Sequence, residues 1–217
     1  MTNKPMNYGY LHGFASSRDS RKGVHMARAF KARGLHLERA ELNVPSFAEL
    51  TFSGALSVID AMDAAAPPAR WCLFGSSMGG YLATRWAELH PDRVERLVLM
   101  CPGFDLIGRW PDIVGHENMA LWSAQGFLLW PDAQGVQTPL HWEFVEDCRR
   151  HPSWPEAPCP TLIIHGRQDE TVSIESSRQY ALARPHVALI EVDDDHSLAA
   201  SLPLIERESM KFLGIEG

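Results

Sequence analysis

The stretch Gly75-Ser76-Ser77-Met78-Gly79-Gly80 does most to limit what this chain can become. An apolar run, Arg70-Trp71-Cys72-Leu73-Phe74, precedes it, and Tyr81–Leu89 after it has helical spacing. Strand, glycine-flanked serine and helix in that order form the context in which G-x-S-x-G reads as a nucleophile elbow. The reason is steric. A serine on a sharp strand-to-helix turn sits at strained backbone angles, and side chains two residues away would collide. Gly75 and Gly79 remove those side chains, and Gly80 lets the helix pack close to the sheet. By spacing, Ser77 and not Ser76 is the nucleophile. The new helix directs its N–H groups and positive dipole end toward the place where an oxyanion would form.

The rest of the chain alternates apolar runs with helical segments, which implies βαβ units and a mainly parallel sheet with helices on both faces. Strands are expected at about Met6–Leu11, Leu35–Ala40, Trp71–Phe74, Val94–Met100, Pro160–His165 and Val187–Val192. The first helix should stop at Gly34. The second should open on a capping box, Ser46 with Glu49, and end at Pro67-Pro68. Later helices are expected up to His90-Pro91, over Ser173–Ala183, and from near Ser201. The 217 residues suit one α/β domain, 1–217, and 45% hydrophobic residues suit a folded core.

Between about Gly103 and Pro158 the alternation breaks. This insertion, 103–158, holds five of the seven tryptophans: Trp110, Trp122, Trp130, Trp142 and Trp154. A short helix is expected at Glu117–Gln125, a hairpin turning at Pro131–Gly135, and a second short helix near Pro139–Arg150. An insertion of this length in a compact domain is usually functional or a subdomain. The rings mainly fill the insertion's own core, with one or two facing an acyl group.

A net charge of −7 argues against a nucleic-acid partner and offers no basic patch for stable membrane association. Met1-Thr2-Asn3-Lys4-Pro5-Met6 contains no apolar targeting core. The four cysteines, Cys72, Cys101, Cys148 and Cys159, show no C-x-x-C pair or zinc-like spacing, and Cys72 and Cys101, in expected buried strands, read as reduced core residues of a cytoplasmic protein.

A serine hydroxyl needs a base to take its proton, and the base needs an orienting carboxylate. Asp169 follows the strand ending at His165-Gly166, and His196 follows the strand ending near Val192. Three loops from one sheet edge thus deliver Ser77, Asp169 and His196. Glu170 is the near rival of Asp169. Asp193, Asp194 and Asp195 read as a turn and helix cap. Of the ten histidines, His12 reads as part of an oxyanion loop and His165 as a hydrogen-bonded core residue. Met78 N–H and Phe14 N–H are the candidate oxyanion donors. Arg18, Arg21 and Lys22 read as a solvated helix face, with attraction of an anionic substrate as the alternative.

At these motifs the chain resembles the α/β-hydrolase-fold serine esterases. His12-Gly13-Phe14-Ala15-Ser16-Ser17, Gly75–Gly80, His165-Gly166 with Asp169, and Asp195-His196-Ser197 match that superfamily in order, over about residues 6–213. The chain is similar to compact bacterial esterases with an H-G-F-x-S-S loop and to small thioesterases that remove palmitoyl groups and hydrolyse acyl glucuronides. The resemblance implies the α/β-hydrolase fold with a small cap insertion. It also implies hydrolysis of a small-molecule carboxylic ester or thioester through an acyl-enzyme, with no metal or organic cofactor. One departure stands out. The superfamily's first two strands are missing, so six parallel strands are expected. Other chemistry on this fold (peptidase, lyase or C–C hydrolase) and a non-catalytic ligand-binding protein are the alternatives.

Overall fold

The computed structural model describes residues 5–215, so the ends of the 1–217 span, including Met1-Thr2-Asn3-Lys4, lie outside the described residues. Six strands form one sheet: β1 (Met6–Leu11), β2 (Glu38–Ala40), β3 (Arg70–Ser76), β4 (Val94–Met100), and, after the insertion, β7 (Thr161–Gly166) and β8 (Val187–Val192). Their order is β2-β1-β3-β4-β7-β8, and every pairing is parallel. The six parallel strands are as expected.

Strand alternation builds two cores. Leu73, Leu97, Leu99 and Ile163 face one side, where they pack with α2 (Phe52–Ala65), α3 (Met78–Leu89) and α7 (Ile174–Leu182). Phe74, Val98, Met100, Leu162 and Ile164 face the other, against α1 (Arg21–Ala32) and α8 (Leu202–Leu213). Both faces are therefore buried, which is why the central strands read as unbroken apolar runs. Register aligns the carboxyl ends: Leu11 lies beside Gly75, Ser76 beside Met100, Met100 beside Ile164 and Gly166 beside Val192. The loops that follow leave from one edge.

Some local readings need correction. The second strand begins at Glu38, because Leu35 N–H still bonds back to the Phe30 carbonyl (3.0 Å) after Gly34 turns at φ +70°. Ser46 and Glu49 do not cap α2. The Ser46 hydroxyl donates to the Glu49 carboxylate (2.9 Å) in a turn upstream, and the cap is Thr51, whose side chain accepts from Gly54 N–H (3.0 Å).

Within the insertion, α5 (His116–Gln125) matches its expectation. The hairpin β5 (Phe127–Pro131) and β6 (Gln137–His141) extends through Pro139, so α6 starts only at Glu143 and runs to Cys148. A helix that the sequence reading missed, α4 (Leu106–Val114), carries Gly108 and an internal Pro111, both poor helix formers. Tertiary packing overrides them. Trp110 is buried against Trp122, Trp130 and Phe144. Trp122 is also fully buried, while Trp130, Trp142 and Trp154 are partly so. Asp147 of α6 ties the insertion to α2, accepting from Ser53 N–H (2.8 Å) and the Ser53 hydroxyl (2.7 Å). No described helix is long and apolar enough to cross a membrane.

Candidate active site

Ser77 sits between the last residue of β3 and the first of α3, at φ +54°, ψ −118°. That conformation is costly for a residue with a side chain, by roughly 1–3 kcal/mol. Main-chain bonds hold it. Ser77 N–H donates to the Met100 carbonyl (2.9 Å), while its own carbonyl accepts from Gly80, Tyr81 and Gly103 N–H. The flanking glycines are obligatory. A Cβ on Gly75 would lie 2.4 Å from the Gly79 carbonyl oxygen, and one on Gly79 would lie 2.2 Å from that of Leu11.

Gly166 does the same for the loops that carry Asp169 and His196. A Cβ there would lie 2.3 Å from the Asp194 carbonyl oxygen, so its absence lets the loop after β8 close on the loop after β7. In that closure His196 Nδ1 lies 2.7 Å from Asp169 Oδ2. The Asp169 Oδ1 atom accepts from Thr171 N–H (2.9 Å) and Val172 N–H (2.8 Å). Burial alone would raise the Asp169 pKa. Donors from His165, His196 and Val172 outweigh it and hold the carboxyl well below its ordinary range. Asp169 is thus a buried, fixed anion. Its bond to Nδ1 leaves Nε2 as the other nitrogen of His196, whose side chain is 26% exposed. The structure brings Asp169 and His196 into contact, and Ser77 Oγ has no hydrogen-bond partner among the described residues.

The rival acids lie elsewhere. Glu170 is exposed. Asp194 accepts from Asp195 N–H, Ala200 N–H, Ser201 N–H and the Ser201 hydroxyl, and Asp195 accepts from Ser197 N–H and its hydroxyl, so they form a turn. His12 is fully buried and structural. Its Nδ1 donates to the Gly13 carbonyl (2.8 Å), and its Nε2 lies 3.0 Å from both Leu42 N–H and Glu41 Oε1. Gly13 brings the following turn against the elbow, since a Cβ there would meet the Ser77 Cβ at 3.3 Å. Phe14 N–H and Met78 N–H donate to no backbone carbonyl among the described residues. The Phe14 ring is held by Phe47, Trp110, Trp130 and Phe144 at centroid distances of 5.3–5.5 Å.

Lys22 is not a solvated residue. Its ammonium donates to the main-chain carbonyls of His196 (3.2 Å) and Ser197 (3.0 Å), and burial lowers its pKa. It pins the His196 loop to the start of α1, a role with no sequence signal because the partners are backbone atoms. Lys22→Met is expected to lower kcat about tenfold through a looser His196 while the unfolding temperature changes little, as steady-state kinetics and calorimetry would show.

Cys101 Sγ, a His165 nitrogen and an Asp169 oxygen lie within 4.8 Å of one another. The donor set does not suit a metal. Burial raises the Cys101 pKa and keeps it a thiol, and both His165 nitrogens are already bonded. All four cysteines are free and buried.

UPF0227, described as an uncharacterised protein family, matches residues 7–208, so the chain belongs to that family. No curated protein matches significantly. Among solved structures, alpha/beta hydrolase domain-containing protein 10 from mouse has a TM-score of 0.80 at 21% identity, covering 98% of this chain and 90% of its own. Est1E from Butyrivibrio proteoclasticus, with ferulic acid bound, has a TM-score of 0.80 at 20% identity, covering 97% and 88%. A structure from a study of the metagenome-derived lipolytic enzymes LipS and LipT has a TM-score of 0.72 at 19% identity, covering 98% and 95%. At these identities the likeness shows the α/β-hydrolase fold.

Proposed function

We propose that this member of UPF0227 is a serine hydrolase that cleaves a carboxylic ester or thioester through an acyl-enzyme. The observation that carries the reading is the Asp169–His196 contact at the sheet edge that also bears Ser77 in its strained elbow. In this scheme Ser77 Oγ attacks the substrate carbonyl and His196 Nε2 takes its proton. Asp169 stabilises the resulting imidazolium. Phe14 N–H and Met78 N–H receive the charge that develops on the carbonyl oxygen, each donor contributing roughly 3 kcal/mol. His196 then protonates the leaving alcohol or thiol, and water repeats the cycle on the acyl-enzyme. All of these groups belong to the chain itself.

The insertion supports an apolar acyl group. The rings around Phe14 are four aromatics beside an oxyanion donor, and the structure of Est1E, one of the fold neighbours, holds ferulic acid. Across p-nitrophenyl esters from acetate to palmitate, kcat/KM is expected to rise about threefold to fourfold per methylene until the acyl site is full, following ~0.8 kcal/mol per buried CH₂. No turnover of any member, nor of the matching thioesters, would refute the assignment.

A further inference from the structure

We propose that His165 is a positioning residue for the acid–base pair, and that Ser177 selects its tautomer. The proposal rests on Asp169 and His196 acting as acid and base under the function above. His165 is the penultimate residue of β7 and is fully buried. Its Nε2 lies 2.9 Å from the Val172 carbonyl oxygen and 3.2 Å from Asp169 Oδ2. Both are acceptors, so Nε2 carries a hydrogen. On the other side of the ring, Nδ1 is 2.7 Å from the Ser177 hydroxyl of α7. In the neutral ring Nδ1 accepts, and Ser177 donates. The hydroxyl therefore sets the tautomer that places the Nε2 hydrogen on the Val172 carbonyl, with the Asp169 carboxylate beside it.

One oxygen of Asp169 thus faces two histidines, His196 at 2.7 Å and His165 at 3.2 Å. A core histidine with satisfied nitrogens needs only Ser177 and the Val172 carbonyl. The approach to the carboxylate exceeds that need. It fixes the carboxylate's rotation and takes up part of its charge, leaving the rest for His196. Other charged and titratable groups face the same carboxylate: Cys101 from the end of β4, Lys22 from α1, and Asp195 from the loop after β8. None of these replaces His165: Lys22 is engaged by carbonyls, Asp195 repels, and the Cys101 thiol is a weaker donor than an imidazole N–H.

The test compares His165→Met, which removes the donor, with His165→Gln, whose amide N–H has about the reach of imidazole Nε2, and with Ser177→Ala. Readouts are kcat and KM on a p-nitrophenyl ester and the pH profile of labelling by a fluorophosphonate probe. His165→Met is expected to lose about tenfold in kcat with KM nearly unchanged. The acidic limb of labelling should move to higher pH, because a carboxylate with less neighbouring positive charge attracts a proton onto its histidine partner more strongly. His165→Gln should recover most of both, and Ser177→Ala should fall between. Wild-type kcat and an unmoved limb in His165→Met would overturn the proposal, as would equal losses in the Met and Gln variants. Should His165→Met fail to fold, wild-type behaviour of Ser177→Ala overturns it. A wild-type protein that takes no label refutes the hydrolase scheme and this proposal together, whereas labelling that is identical in wild type and variants refutes this proposal alone.

Discussion

Ser77→Ala is expected to lose at least about 10⁴-fold in ester turnover and all labelling by a fluorophosphonate probe, while its thermal unfolding stays that of the wild type. The two halves of this expectation have separate causes. Activity depends on Oγ, the only atom removed. Stability depends on the backbone, where Ser77 N–H and the Ser77 carbonyl make the bonds that hold the elbow. Alanine keeps those bonds and tolerates φ +54° no worse than serine does. Steady-state assays, gel labelling and calorimetry on the same preparation separate the two. Turnover near the wild-type rate would remove Ser77 as nucleophile.

Gly79→Ala is expected to be among the most damaging single methyl additions in the chain. Its Cβ would lie 2.2 Å from the Leu11 carbonyl oxygen and 2.4 Å from that of His12. Both are backbone atoms at the carboxyl end of β1, so no side-chain rotation relieves the clash. Either α3 lifts from the sheet or the turn carrying Gly13 and Phe14 moves. The first loses packing of the fully buried Leu82 and Tyr81, and the second displaces a proposed oxyanion donor. A destabilisation of at least about 4 kcal/mol is expected, which in a chain of this size lowers the unfolding temperature by roughly 10 °C or more. Gly103→Ala is the control. Its added Cβ would meet Ser77 only at 3.4 Å, an ordinary contact, and its stability should change by less than about 1 kcal/mol. Equal melting of Gly79→Ala and wild type would mean that α3 does not lie this close to β1.

Much of the sheet was legible because its strands are buried on both faces. Leu73, Phe74, Leu97, Val98, Leu99 and Met100 must all be apolar to serve two cores, and such runs stand out in a sequence. The candidate residues at strand ends were legible for a related reason: parallel strands carry their loops to one edge, so position along the chain gives position in space. The insertion was less readable. Gly108 and Pro111 argue against α4, and Pro139 hid the second strand of the hairpin, because Trp110 and Leu140 gain more from burial than local propensity loses.

The amino-acid sequence by itself determined the six-stranded parallel architecture, the strand-to-helix turn at Ser77 and the places of Asp169 and His196 after β7 and β8. Those features follow from periodicity and from glycines that no other residue can replace. Only the tertiary structure decided what surrounds them. It turned Lys22 from the expected solvent face onto the His196 loop, set His165 and Ser177 behind Asp169, and seated the Phe14 ring among Trp110, Trp130, Phe144 and Phe47. The physical reason is that these contacts join residues far apart in the chain, or reach to backbone carbonyls that every residue carries. Local pattern encodes neither.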